Sequence, residues 1–130
     1  MYTATTNDIT VQVEPQFLDE HSEPAEDHYL WAYTIRIENG GEETVQLLNR
    51  HWIITDARGQ VEEVRGPGVV GEQPVLEPGE SFEYTSGCPL GTPSGVMYGS
   101  YEMTGRAGER FDIEIPAFSL DSPFQQRQVN

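Results

Sequence analysis

Residues 29–38 read Tyr29-Leu30-Trp31-Ala32-Tyr33-Thr34-Ile35-Arg36-Ile37-Glu38, and their large apolar side chains recur at every second position. One face of an extended chain then carries the apolar set, which is Trp31, Tyr33, Ile35 and Ile37. A period of two is typical of a β-strand with one buried face. The next residues, Asn39-Gly40-Gly41, predict a turn, because Asn and Gly adopt positive φ at little cost.

The same period marks the rest of the chain as strands separated by turns. Six further segments alternate or run mostly apolar between turn-forming residues: 9–14, 45–55, 60–65, 81–85, 96–104 and 110–118. No segment has the period of an amphipathic helix over two turns or more. The pattern predicts an all-β, immunoglobulin-like or fibronectin type III-like sandwich of seven to eight antiparallel strands, with a small closed barrel as the alternative.

The size and composition of the chain fit a single domain. Its 130 residues are 36% hydrophobic, and the domain is predicted over residues 1–122. The Gln-rich tail, residues 123–130, is expected to fray. Five large side chains are expected to pack in the core between the sheets: Trp31, Trp52, Met97, Tyr101 and Met103.

The charge of the chain excludes two classes of partner. There are 22 Asp and Glu residues against seven basic residues, all arginine, so the formal net charge is −15. Nucleic-acid binding needs clustered cations, and anionic membranes repel such a chain, so neither partner is expected. The single cysteine, Cys88, forms no intrachain disulfide, and the N-terminus shows no signal peptide. A reducing cytoplasm is therefore the expected compartment.

Four segments, in this order along the chain, resemble the ApaG family. They are Arg50-His51-Trp52-Ile53-Ile54-Thr55-Asp56, Gly66-Pro67-Gly68-Val69-Val70-Gly71-Glu72-Gln73-Pro74, Leu76-Glu77-Pro78-Gly79-Glu80 and Ile115-Pro116-Ala117-Phe118. The likeness extends over roughly residues 5–122. It implies a fibronectin type III-like sandwich that acts as an interaction module, in a family linked to cobalt tolerance and magnesium efflux. It carries no catalytic residue over to this chain.

The segment Gly66-Pro67-Gly68-Val69-Val70-Gly71 matches, as a string, the glycine pattern of dinucleotide-binding loops. Pro74 and Pro78 prevent the helix that a Rossmann site needs after the loop, so that site is excluded. Two interpretations stay open. The glycines serve a tight crossing between sheets, where Cβ atoms would clash. Alternatively, the loop and a neighbouring cation bind an anion through Arg65, Gly66, Gly68 and Gly71.

The acidic stretch 19–28 contains His21 and His28 among its carboxylates. Oxygen-rich loops suit Mg²⁺ or Ca²⁺, and imidazole suits Co²⁺ or Zn²⁺. The spacing fits neither an EF-hand nor a zinc pattern, so a solvated loop is expected and no metal site is predicted. His51 is expected to be a hydrogen-bonded packing residue rather than a base or a ligand.

These observations predict a non-enzymatic binding or adaptor module with no cofactor and no catalytic residues. Its expected partner is a protein, and the resemblance connects it to divalent-cation homeostasis. A monomer or weak dimer is expected. The alternative is a domain that binds phosphate, pyrophosphate or a nucleotide through Arg65, Gly66, Gly68 and Gly71.

Overall fold

The structure, a computed structural model, describes residues 1–124 of the chain. It contains nine β-strands and two short 3-10 turns, Asp19–His21 and Pro24–Glu26. The strands are β1 (Tyr2–Thr6), β2 (Ile9–Phe17), β3 (Tyr29–Asn39), β4 (Val45–Asp56), β5 (Val61–Pro67), β6 (Val75–Leu76), β7 (Ser81–Leu90), β8 (Ser94–Thr104) and β9 (Arg110–Asp121).

The strands form two sheets that pack face to face. The first sheet has the order β1-β2-β3-β7, and the second has the order β5-β4-β8-β9, with β6 paired to the start of β4. All strand pairs in residues 1–124 are antiparallel. The predicted all-β, fibronectin type III-like sandwich is therefore confirmed.

The N-terminal strand β1 and the two-residue β6 raise the number of strands above the predicted seven to eight. β1 turns into β2 through Asn7 and Asp8, whose φ angles of 49° and 64° suit a type I′ hairpin turn. At the end of β1, the Thr6 hydroxyl accepts a hydrogen bond from the backbone N–H of Glu114 in β9 at 3.1 Å. β1 and β9 thereby close one side of the sandwich.

The core lies between the two sheets, where the alternating residues of the strands meet. The ring centroid of Trp52, from the second sheet, lies 5.3 Å from that of Tyr33 and 6.0 Å from that of Phe118. The residues predicted for the core are all buried, namely Trp31, Trp52, Met97, Tyr101 and Met103. The prediction of the core is therefore confirmed.

The C-terminal residues beyond β9 turn back over the first sheet. The ring centroid of Phe124 lies 6.1 Å from that of Phe17 and 6.4 Å from that of Tyr29. Residues 125–130 lie outside the described part of the chain, so the fraying expected for residues 123–130 stays a prediction. Over residues 1–124, no helix combines the length and the apolar character that crossing a membrane requires.

The side of the sandwich opposite β1 and β9 is open. It is formed by two edge strands, β7 of the first sheet and β5 of the second. Between them lies a cleft of about 230 Å³, here called the edge cleft. Its walls include Tyr33, Arg50, Trp52, Val64 and Ser86.

Candidate functional site

The predicted glycine loop is a tight turn that follows β5. The Val69 N–H donates to the Glu72 carbonyl at 2.8 Å, and the Glu72 N–H donates to the Val69 carbonyl at 2.9 Å. Val70 and Gly71 lie between them with φ angles of 44° and 80°. Positive φ at both central residues is the geometry of a type I′ hairpin turn. Between this turn and β6 there is no helix, whereas a Rossmann site needs one directly after the glycine loop.

Gly68 occupies a position that has no room for a side chain. Its φ is 62°, and a Cβ added to it would lie 2.3 Å from the carbonyl oxygen of Glu72. Its N–H donates to the carbonyl of Leu48 in β4 at 2.8 Å. The close approach of two backbone segments therefore accounts for this glycine without a ligand.

Few backbone N–H groups of the loop are free to bind an anion. Pro67 has none, and the N–H groups of Gly68 and Val69 donate to carbonyls of the protein. Within residues 1–124, the N–H groups of Val70 and Gly71 at the tip have no backbone partner. The loop therefore lacks a continuous run of free donors, and anion binding by it stays a prediction.

Arg50 in β4 is a candidate that the sequence reasoning missed. Its Nη1 donates to the carbonyls of Pro67 and Gly68 at 2.9 and 3.0 Å. A Cβ added to Gly66 would lie 2.9 Å from Arg50 Nη2, so the glycine makes room for the guanidinium. The parity of Arg50 and Trp52 was the available signal, because it places the cation on the core-facing side of the strand.

The guanidinium of Arg50 keeps donors that the protein does not use. The residue is half-buried, and within residues 1–124 no carboxylate lies within 4.0 Å of it. Its Nε and Nη2 make no hydrogen bond there, and neither nitrogen is sealed from solvent. Burial raises the pKa of the nearby Tyr33, while the charge of Arg50 opposes that shift. A cation with free donors therefore stands in the wall of the edge cleft.

A second concave surface lies on the solvent-facing side of the second sheet. This outer cavity has a volume of about 480 Å³, and its lining includes Asn49, His51, Arg65, Gly66 and Glu102. Asn49 Nδ2 donates to Glu102 Oε1 at 2.7 Å. Of the four residues predicted to bind an anion, Arg65 and Gly66 line this cavity, whereas the other two do not.

Glu63 joins the two basic side chains beside the outer cavity. His51 Nε2 lies 2.7 Å from Glu63 Oε1, and Arg65 Nη2 lies 3.6 Å from the same oxygen. The hydrogen bond from His51 lowers the pKa of Glu63, and the charge of Arg65 adds to the effect. His51 is hydrogen-bonded, as predicted, but its side chain lies on the outer face of the sheet and not in the core.

Cys88 is buried in β7 on the wall of the edge cleft. Burial raises the pKa of its thiol to about 11. Because the thiolate is the nucleophilic form, little of it exists at neutral pH. This is the behaviour expected of a structural thiol.

The acidic stretch 19–28 folds into the two 3-10 turns. Glu23 and His28 pair through their backbones, with N–H to carbonyl distances of 2.8 and 3.0 Å. Within residues 1–124, no group of three or more His, Cys, Asp or Glu side chains is placed to hold a metal ion. The Ser22 hydroxyl adds two bonds, because it donates to the Leu18 carbonyl at 2.7 Å and accepts from the Leu30 N–H at 2.9 Å.

The family of the chain follows from its comparison with known proteins. The family model of the ApaG domain matches residues 19–105. The chain belongs to the ApaG family. Its resemblance to that family, carried by the four sequence segments, is thereby confirmed.

The similarity extends over the whole chain. Protein ApaG of Paramagnetospirillum magneticum and Protein ApaG of Brucella anthropi are each 62% identical to it over 130 residues, with both chains fully covered. The crystal structure of the putative ApaA protein from Bordetella pertussis superimposes with a TM-score of 0.87 at 52% sequence identity. That alignment covers 91% of this chain and 96% of the other. The Bordetella pertussis protein therefore has the same fold as this chain.

Proposed function

We propose that this ApaG-family chain is a non-enzymatic binding module whose partner protein docks on the solvent-facing side of the second sheet. One observation carries the proposal, namely an apolar patch on that face. The patch consists of Ile53 in β4, Val61 in β5, and Val96 and Tyr98 in β8, and is called the outer apolar patch.

The strand register brings these four side chains to one face. Ile53 pairs with Tyr98, and Thr55 pairs with both Val61 and Val96. Ile53 is half-buried, while Val61, Val96 and Tyr98 are 62%, 39% and 42% exposed. In a sandwich, side chains alternate along each strand, and those on the outer face are normally polar. Exposed apolar side chains grouped on such a face are typical of a protein-binding surface, and Tyr is enriched at such surfaces.

The charge of the chain supports a basic partner. The formal net charge of −15 makes the protein as a whole strongly acidic. A partner whose apolar contact is ringed by Lys and Arg would associate faster and be selected over acidic competitors. Its association rate is then expected to fall as the salt concentration rises.

The state of the reactive side chains supports binding rather than catalysis. The thiol of Cys88 has a raised pKa, and the imidazole of His51 is engaged by Glu63. The unpaired, buried Cys88 also suits a reducing compartment, which supports a cytoplasmic location. A role in a complex connected to divalent-cation homeostasis rests on the resemblance to the ApaG family alone.

Affinity capture with matched variants tests the proposal. The immobilised protein is compared with Val61→Ser/Tyr98→Ser, which removes two exposed anchors of the patch, and with Val75→Ser. Val75 is 55% exposed at the other end of the second sheet and provides the matched control. We expect the wild type and the control to retain a basic protein, and the double variant to retain at least about tenfold less of it. Equal retention by all three would contradict docking on the patch.

A second candidate function has one observation in its favour. Arg65 and Gly66, both predicted for anion binding, line the outer cavity of about 480 Å³. Arg65 would supply a charge-assisted hydrogen bond to phosphate or pyrophosphate. Calorimetric titration with pyrophosphate and nucleotides tests this, and Arg65→Ala is expected to weaken binding by about 10–100-fold. Titrations without heat in the wild type would remove this candidate.

A further inference from the structure

We propose that the edge cleft between β5 and β7 binds the C-terminal end of a partner polypeptide, with Arg50 receiving its terminal carboxylate. The inference deepens the proposed protein-binding function, on which it rests, by naming the chemistry of a contact. It uses a surface separate from the outer apolar patch.

The first wall of the cleft, β5, offers unpaired backbone groups. The hydrogen bond from Gly68 N–H to the Leu48 carbonyl fixes which residues of β5 bond to β4. Bonded and non-bonded pairs alternate in an antiparallel ladder, so Glu63 and Arg65 turn their N–H and C=O groups away from β4. The next residue whose backbone groups point away from β4 is Pro67, which has no N–H to leave unpaired. β5 is therefore an edge that can accept another strand.

The opposite wall, β7, has the same property. The Asn39 N–H donates to the Glu80 carbonyl at 2.9 Å, which sets the ladder between β3 and β7. By the same alternation, Thr85 and Gly87 turn their N–H and C=O groups outward, and Pro89 again falls on an outward position. Two unpaired edges thus flank one cleft. An extended peptide is the occupant that satisfies such edges through main-chain hydrogen bonds.

Arg50 stands where the end of such a peptide would lie. Arg50, Trp52 and Ile54 are successive core-facing residues of β4 that line the cleft, and Arg50 is the first of them. Among residues 1–124, no group hydrogen-bonds to its Nε or Nη2, and both nitrogens reach solvent. Carboxylates bind guanidinium through paired, charge-assisted hydrogen bonds. Tyr33 and Ser86, which belong to the first sheet, line the cleft on the opposite side.

A chain terminus fits this arrangement better than an acidic side chain. Side chains of a strand point to the faces of its sheet, whereas a terminal carboxylate continues along the strand axis. The last residue can therefore pair with an edge strand while its carboxylate reaches Arg50. Val64 lines the cleft together with the buried Trp52 and Met97, so an apolar last side chain is expected; Glu62 lines the same cleft. The net charge of −15 favours basic residues before that last one.

The test uses pools of pentapeptides labelled with fluorescein at the N-terminus. Four positions are randomised with Lys enrichment, and the last residue is Leu, Val or Phe. One pool has a free C-terminal carboxylate and the second has a C-terminal amide. The third is amidated and carries Glu at the fourth position. Fluorescence anisotropy with the unaltered protein is expected to show binding of the first pool and about 10–100-fold weaker binding of the other two.

Three results would overturn the proposal. These are absence of binding by the free-acid pool, equal binding by the amidated pool, and equal binding by the amidated pool that contains Glu. The last of these would assign the site to acidic side chains. Because the comparison uses the unaltered protein, it does not depend on whether any variant folds.

Variants then connect the binding to Arg50. Arg50→Gln is expected to lose the difference between free-acid and amidated pools, while Arg65→Gln, on the outer face of β5, is expected to keep it. If Arg50→Gln does not fold, the side-chain Nε–H signal of Arg50 in NMR spectra of the wild type replaces it. That signal is expected to shift with the free-acid pool only, and a constant position would contradict the proposal. The double variant Val61→Ser/Tyr98→Ser is expected to bind the free-acid pool as the wild type does. Loss of docking on the outer apolar patch can therefore be told apart from loss of binding in the edge cleft.

Discussion

Replacing Gly68 with alanine measures how much of the glycine loop is required by the fold. At a φ of 62°, an L-residue with a Cβ costs about 1–2 kcal/mol relative to glycine. The new Cβ would also lie 2.3 Å from the carbonyl oxygen of Glu72 and 3.0 Å from its carbonyl carbon. These are backbone atoms, so relief requires local strain that typically costs about 1–3 kcal/mol more. The expected loss in the free energy of unfolding is about 2–5 kcal/mol.

Gly71 provides the matched control on the same turn. Its φ is 80°, but an added Cβ would meet no heavy atom within 4 Å. Gly71→Ala should therefore lose only the conformational part, about 1–2 kcal/mol. Urea unfolding followed by tryptophan fluorescence, with unchanged m-values, gives both losses. The reasoning is refuted if Gly68→Ala is no less stable than Gly71→Ala, because the close approach to Glu72 would then have no energetic consequence.

Three further predictions concern single side chains. Trp52→Ala is expected to lower the free energy of unfolding by ~3–5 kcal/mol. Trp31→Phe should cost under ~2 kcal/mol, because the buried Trp31 Nε1 has no hydrogen-bond partner in residues 1–124. Urea unfolding measures both losses, and a larger loss for Trp31→Phe than for Trp52→Ala would contradict this. NMR titration should give Glu63 a pKa below the usual glutamate value, and His51→Ala should raise it. The resulting stabilisation is present above the unfolded-state pKa and is lost as pH falls through the lowered value, so an unshifted Glu63 would argue against the ion pair. Cys88 should resist thiol reagents at pH 8 until urea unfolds the chain, since burial raises its pKa to about 11; rapid labelling of the folded protein would disprove its burial.

The strand pattern made the architecture predictable. Alternation over residues 29–38 identified the inward face of β3, and the shared parity of Tyr101 and Met103 in a later strand placed both in the core. β1 escaped detection because Tyr2–Thr6 is mostly Thr and shows no apolar period. It is a strand because the turn at Asn7-Asp8 returns it to β2, and because it contacts β9. The contacts between β1 and β9 join distant parts of the chain, so they cannot be inferred from the residues of β1 alone.

The candidate sites were predictable only in part. Arg65 and the glycines were visible as a motif, but the use of the Gly68 and Val69 N–H groups within the fold was not. A bulge between Leu47 and Asn49 shifts the pairing of β4 with β8 and sets which later residues of β4 face inward. The parity of Arg50 and Trp52 indicated that Arg50 faces inward, but the edge cleft is formed by β5 and β7 of different sheets, and that arrangement could be inferred only in the structure. The outer apolar patch likewise joins Ile53 and Val61 to Val96 and Tyr98, which lie in a strand distant in sequence.

The docking surface can be mapped by amide NMR of the isotope-labelled chain, recorded with and without a captured basic partner. Docking on the outer apolar patch predicts that the amide signals of Ile53, Val61 and Tyr98 shift or broaden first. Signals from β2, in the other sheet, should stay in place, and raised salt should weaken the effect. Shifts confined to the first sheet, with the signals of Ile53, Val61 and Tyr98 unmoved at saturation, would contradict the account.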